Sequence, residues 1–173
     1  QLHADRVNPH LDIEHSALDI PREKLRTMLS GVGFLHLDGF WMDTAVEIAE
    51  TAREMGVTIT LDIGQNQRDP QIEILMGLAD YVIPSLPFAR RFSGSREVEE
   101  AANRLLRHGN RAVIQTLGEQ GLFVLTTAGN SYRLPAFEVP VVATDVDGLR
   151  SLIHHRETGL VVRRGDADGL ARA

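Results

Sequence analysis

The chain has 173 residues, about one domain's worth, and its 43% hydrophobic and 24% charged residues are ordinary values for a protein that buries a core. A net charge of −6, without any basic stripe interleaved with aromatics, argues against a surface for nucleic-acid phosphates or an anionic membrane. The absence of cysteine excludes disulfides, a thiol nucleophile and Cys-based metal sites, and fits a cytoplasmic protein. Residues 1–20 show no sustained period, and His3, His10 and His15 lack the spacing of a helical metal site, so they read as solvated or core histidines. Pro21 opens a predicted helix that runs to about Ser30 and stops at Gly31. Gly33–Leu37 predicts a strand leading into Asp38-Gly39. On the following helix, Met42, Ala45, Val46, Ala49, Ala52 and Met55 share one face, and Gly56 ends it.

Val57–Leu61 is β-branched and predicts a second strand, closed by Asp62. Strand, helix, strand without a hairpin between them gives a right-handed crossover and a parallel pair. The rhythm continues with a short helix over Gln71–Leu78, a strand over Asp80–Ile83 closed by Pro84, and a short helix around Phe88–Phe92. A longer helix over Ser95–His108 follows. It carries Glu97, Glu99 and Glu100 in its first turns and Arg104 and Arg107 near its end, as the helix dipole favours. Arg111–Gln115 is a fourth strand. Beyond Gly121 the connections shorten: Leu122–Thr126, the turn Thr127–Asn130 and Ser131–Leu134 predict a β-hairpin, and Phe137–Val142 a further strand. The expected fold is α/β, three layers (α/β/α) around a mostly parallel sheet with an antiparallel hairpin edge. No apolar run approaches the ~20 residues of a membrane span, and the start lacks a signal peptide's layout. The chain opens on Gln1 and stops at Leu170-Ala-Arg-Ala173, mid-helix in pattern, so it reads as a fragment of something longer.

Ligands of open parallel sheets sit beyond the carboxyl ends of the strands. Asp38, Asp62 and Thr116 fall at strand ends and could face one crevice, although turns and helix caps also select such residues. The stretch Thr116-Leu-Gly-Glu-Gln-Gly121 ends a strand in a hydroxyl and two glycines. It can expose backbone N–H groups to a phosphate, or simply reverse the chain. Trp41, the only tryptophan, lines that crevice or caps the core. His154 and His155 are adjacent on a predicted helix, so their side chains diverge and no metal pair is expected.

Six ordered segments resemble the ribokinase-like (pfkB) sugar and nucleoside kinases. They are Phe34-Leu-His-Leu-Asp-Gly39, Val57-Thr-Ile-Thr-Leu-Asp62, Ala79-Asp-Tyr-Val-Ile-Pro-Ser85, Phe88-Ala-Arg-Arg-Phe-Ser-Gly94, Ala112-Val-Ile-Gln-Thr-Leu-Gly-Glu-Gln-Gly121 and Pro135–Val142. The resemblance covers roughly residues 10–142 and assigns 1–142 to a partial kinase core. It implies ATP-dependent phosphoryl transfer to a sugar hydroxyl, with ATP and Mg²⁺ as cofactors and a small-molecule sugar and nucleotide as partners. Carried over by motif, Thr116, Gly118 and Gly121 would lie against the nucleotide. The family often has Asn-x-x-Glu, tied to Mg²⁺ and phosphate, where this chain reads Ser85-Leu-Pro-Phe88; no metal ligand is assigned. After Val142 the family continues into Asp-Thr-x-Gly-Ala-Gly-Asp, which supplies an anion hole and the base for the sugar hydroxyl. This chain reads Ala143-Thr-Asp-Val-Asp-Gly-Leu-Arg, with Asp145 near the place of the family's first Asp. No catalytic residue is therefore assigned, and turnover is expected to be absent.

The remaining stretch, 143–173 with its junction at 140–142, is similar to the C-terminal part of group-1 GT-B glycosyltransferases through Glu157-Thr-Gly-Leu-Val-Val162 and Gly165-Asp166. Ser151 stands where that family's Glu would be. The resulting alternatives are a nucleotide-sugar transferase fragment and a non-catalytic α/β domain.

Overall fold

The computed structural model describes residues 20–64, 67–137, 141–145 and 159–172. The chain divides into two compact units, 1–136 and 137–173, and each is described by itself. The predictions made for residues 1–19, for Ser151 and for His154-His155 lie outside the described residues.

The first unit runs α1 (Arg22–Leu29), β1 (Phe34–Leu37), α2 (Met42–Glu54), β2 (Thr58–Ile63), α3 (Ile72–Leu78), β3 (Tyr81–Pro84), α4 (Leu86–Ser93), α5 (Val98–Leu106), β4 (Ala112–Thr116), β5 (Leu122–Thr126) and β6 (Ser131–Leu134). These elements follow the sequence pattern closely. On α2, Met42, Ala45, Ala49 and Ala52 are buried while Asp43, Glu50, Arg53 and Glu54 are exposed. Gly56 stops that helix at φ +74, where a residue with a Cβ would be strained. One boundary moves: β2 extends through Asp62 to Ile63, so Asp62 sits inside the strand and not after it. Its neighbours Leu61 and Ile63 are fully buried, and their burial carries the parallel pairing with β3 two residues further than the β-branched run suggests.

The six strands lie side by side in chain order, β1-β2-β3-β4-β5-β6. The first four are parallel, and β5 and β6 add the expected antiparallel hairpin edge. Right-handed crossovers between strands laid down in one direction all fall on the same side of a sheet. The core shows this directly. Ile59, Leu61, Ile63, Val82, Val113, Phe123 and Leu125 form one cluster with Leu29 of α1, Ala45 and Ala49 of α2, Leu75 of α3, Phe88 of α4 and Leu105 of α5. Within this unit the described helices thus form one layer on the sheet. The alternate residues, among them Phe34, Thr60, Asp62, Tyr81, Ile83, Ile114, Thr116, Val124 and Tyr132, point to the other face and are half-buried or exposed.

Two polar residues, half-buried Asp80 and fully buried Asn110, tie the amino ends of the strands. Asp80 accepts from Ile59 N at 2.9 Å and pairs with Arg111 at 3.0 Å, binding β2, β3 and β4 together. Asn110, fully buried, donates to the carbonyls of Met76 (2.5 Å) and Ala79 (2.8 Å), which satisfies the end of α3.

In the second unit, β7 (Val142–Thr144) pairs in parallel with β8 (Leu160–Val162), and α6 spans Ala167–Arg172. Of the strand expected over Phe137–Val142, Phe137 is not in a strand and 138–140 lie outside the described residues; Val142 instead begins β7. Asp166 opens α6 by accepting from Gly169 N at 2.7 Å.

Candidate functional site

The carboxyl ends of β1–β4 bring the predicted site residues to one edge of the sheet. Register places them. Leu37 pairs with Leu61, Leu61 with Val82 and Val82 with Val113, while Ser85 bridges Thr116. Asp38 thus follows β1 beside Asp62, and both lie on the same, helix-free face of the sheet as Thr116. The β2 and β4 strands are two spacings apart and Thr116 lies two residues beyond the level of Asp62, so roughly 12 Å separates the two. The three thus share one edge and one face of the sheet.

Their local roles differ. Asp38 closes its own turn by accepting from Phe40 N at 3.1 Å, which is the ordinary use of an Asp at a strand end. Asp62 is exposed, with no local cap to satisfy. Trp41 is 43% exposed and is the one non-glycine residue with positive φ (45°) among the described residues. It is therefore not buried in the core.

The turn after β4 is a single 3-10 segment, Gly118–Gln120, closed by Leu117 N donating to Gly121 O at 2.8 Å. Leu117 packs into the core, whereas Thr116 is exposed. The two glycines are needed for different reasons. Gly118 has φ +64 and open space where a Cβ would stand, so its backbone is approachable from outside. Gly121 has φ +83 and ψ −126, a conformation that only glycine adopts readily. A Cβ there would overlap Leu134 O and come within 2.6 Å of Pro135 C and 2.7 Å of Ala136 N. Gly121 is thus required by the chain leaving β6, independently of any ligand.

The segment Ser85–Phe88 explains why no acid stands there. Ser85 caps α4, its Oγ accepting from Phe88 N at 3.4 Å. Phe88 is 2% exposed and stacks on Phe92 at 5.5 Å between ring centroids. A core phenylalanine occupies the position at which an Asn-x-x-Glu motif would present its carboxylate. Among the described residues no group of three or more His, Cys, Asp or Glu could hold a metal ion. The described residues of this segment do not supply the convergent carboxylate oxygens that a protein-built Mg²⁺ cage needs.

Gln67, Arg68 and Arg91, to which no motif of the sequence assigns a role, meet at the loop after β2. The Gln67 amide donates to Gly39 O at 2.5 Å, joining the loop after β2 to the turn after β1. The doubled arginine of Phe88-Ala-Arg-Arg-Phe92 was the available signal, because a helix of eight residues beginning at a strand's carboxyl end places its first two turns beside the sheet's carboxyl edge.

The family model for pfkB family carbohydrate kinases matches residues 6–145. Among solved structures, the chain is similar to a PfkB protein from Polaromonas sp. JS666, with a TM-score of 0.59 and 24% identity over 71% of this chain and 45% of that one. It is similar to the fructokinase of Halothermothrix orenii, with a TM-score of 0.51 and 31% identity over 60% of this chain and 42% of that one. A ribokinase-like protein of E. coli solved in complex with ATP and Mg²⁺ matches with a TM-score of 0.57 and 18% identity, over 66% of this chain and 41% of that one. The chain spans less than half the length of these structures. No curated protein matches it.

Proposed function

The chain belongs to the pfkB family of carbohydrate kinases, and from that premise we propose that it is the central and nucleotide-side part of an ATP-dependent sugar kinase, able to place a nucleotide but not to transfer its phosphoryl group. The observation that carries this reading is the turn after β4. Thr116 and Gly118 present a hydroxyl and an accessible, left-handed backbone at the carboxyl edge, which is the arrangement that phosphate oxygens recognise. Gly121 contributes by holding that turn against β6.

Phosphoryl transfer needs little covalent work from a protein but depends on positioned charge. ATP, when bound with Mg²⁺, supplies the phosphoryl group. This chain supplies the turn that orients it, and lacks a Gly-Ala-Gly-Asp segment to neutralise the developing charge and take the hydroxyl proton. The reading is therefore nucleotide binding without turnover, by a cytoplasmic protein whose partners are a small sugar and a nucleotide, with no nucleic-acid or membrane partner.

Calorimetric titration tests it. ATP or ADP binds the chain, Gly118→Val weakens that binding at least about tenfold by filling the open space over the turn, and no sugar-dependent ADP release occurs. Unchanged nucleotide affinity in Gly118→Val would remove the turn from the site.

A second reading concerns residues 143–173. The resemblance of Glu157-Thr-Gly-Leu-Val-Val162 and Gly165-Asp166 to group-1 GT-B glycosyltransferases suggests a nucleotide-sugar transferase fragment, and within it Val142–Thr144 pairs in parallel with Leu160–Val162, followed by α6. Stabilisation of the chain by a UDP-sugar and not by ATP would favour it.

A further inference from the structure

Strand β6 closes one side of the first unit's sheet, and no strand among the described residues pairs with its outer edge. Its main chain faces two ways. Thr126 N donates to Asn130 O at 3.0 Å, which makes these two a hydrogen-bonded pair at the start of the β5–β6 ladder. Such pairs alternate with non-bonded ones along antiparallel strands. In the register Val124 with Tyr132 and Leu122 with Leu134, the N–H and C=O groups of Tyr132 and Leu134 therefore turn toward β5. Those of Ser131 and Arg133 turn outward. All four residues of β6 are exposed.

An open edge of this kind is a template for another strand, and its residues fit a second copy of itself. Across a two-fold axis, opposite residues must both turn their main chains outward or both inward, so the axis passes through a residue and not between two. An axis at Arg133 would set two like charges directly opposite each other and face Ser131 with Pro135, which has no N–H. An axis at Ser131 would oppose Arg133 with Gly129, whose N–H is already bonded to Thr126 O at 3.0 Å. An axis at Tyr132 avoids both faults. Ser131 and Arg133 of each copy then exchange main-chain bonds with Arg133 and Ser131 of the other. The two Tyr132 residues form the close non-hydrogen-bonded pair, with about 4.5 Å between Cα atoms, and aromatic pairs at such positions are favourable. On the opposite face, Arg133 meets a neutral serine. It also keeps its own contacts there, over the Phe123 ring at 5.1 Å and with Glu99 at 3.6 Å.

We propose that β6 is the pairing edge of an isologous dimer, in which two copies of this chain join their sheets antiparallel about Tyr132.

Amide hydrogen exchange and sedimentation velocity on the full chain, over a concentration series, test this. A dimer forms as concentration rises, and the amides of Ser131 and Arg133 become at least about tenfold more protected in it. Tyr132, whose amide is already bonded to β5, changes less. Arg133→Pro removes an outward donor and no β5 bond, a change that edge strands tolerate, and it keeps the chain monomeric. Arg133→Gln retains the N–H and dimerises as the parent does. Tyr132→Lys sets like charges in the closest pair and is monomeric too; it serves if melting curves show that Arg133→Pro does not fold. A parent chain that stays monomeric throughout overturns the proposal. So does a dimer that survives both Arg133→Pro and Tyr132→Lys, or one that forms without new protection at Ser131 and Arg133, since association would then run through the helix-free face. Protection of both amides in the monomer overturns it as well, because the chain's own residues would then cover the edge.

Discussion

Gly118 and Gly121 stand three residues apart and answer to different constraints. Gly118 meets nothing within 4 Å of a Cβ position and needs only its positive φ, so Gly118→Ala costs about 1–2 kcal/mol of backbone strain. Gly121 needs both its conformation and the space taken by Leu134–Ala136. Gly121→Ala must push the end of β6 away and is expected to cost about 3 kcal/mol or more. Urea denaturation of the two variants gives the comparison, and equal losses would contradict the distinction. It also means that nucleotide binding by this turn is tested at Gly118, because loss of binding in a Gly121 variant reports the hairpin. Nearby, Glu100 accepts from Ser95 Oγ at 2.7 Å and pairs with Arg104. Its carboxyl is held below the ordinary value of 4.5, by Ser95 first and Arg104 second. A depressed folded-state pKa contributes stability above the unfolded value that is lost as pH falls through the folded one. Ser95→Ala should therefore move the Glu100 titration upward, as followed by carboxyl NMR shifts.

At the scale of elements, α4 shows how a family position can change its purpose. Ser85 caps this helix, and Phe88 turns inward to stack on Phe92, with the Arg91 guanidinium 5.4 Å from the Phe88 ring centroid. Replacing Phe88 by Glu would put the family's acid back at its sequence position, yet that position is now core. Burying an unpaired carboxylate costs several kcal/mol, about 3–5 by analogy with broken buried pairs. Phe88→Glu should thus lower the melting temperature sharply without raising Mg²⁺ affinity. Stable folding together with new Mg²⁺ binding would show instead that the segment can turn outward. The same element marks what was legible in sequence. The α2 and α5 faces, the hairpin and the parallel rhythm were readable because periodicity and glycine stops are local signals. Thr116–Gly121 was readable as a turn, but which glycine serves β6 was not, because Leu134–Ala136 approach it from 13 or more residues away. Arg68 and Arg91 were hidden for a related reason. Their meeting at Gln67 O depends on the β2–β3 register and the direction of α4, and neither is written in the spacing of two arginines 23 residues apart.

At the scale of the whole first unit, strand order has one more consequence. Laying β1 to β4 down in a single direction puts every described helix of this unit on one face, and the alternate side chains of the sheet form a second, mostly apolar surface. Phe34 is 73% exposed, Tyr132 54% and Leu134 48%, with Ile83, Ile114, Leu122 and Val124 half-buried between them. The strand interiors carry the β-branched and aromatic residues of a sheet designed to be covered twice, as both faces of a largely parallel sheet usually are. Thr58, Thr60 and Asp62 of β2 separate Phe34 from the apolar part of this face, which runs from Ile83 on β3 to Leu134 on β6, and exposed apolar surface of this kind is a liability in water. The isolated chain should bind a hydrophobic dye at temperatures far below its melting transition and associate more strongly as concentration rises. The double variant Phe34→Ser, Tyr132→Ser should weaken both effects, since each change removes an exposed ring and neither residue belongs to the helix-side core. Sedimentation velocity across a concentration series, paired with dye fluorescence, reads the outcome. A parent chain that stays monomeric and dark would mean that the face is covered, and would leave the one-layer arrangement of this unit without its expected cost.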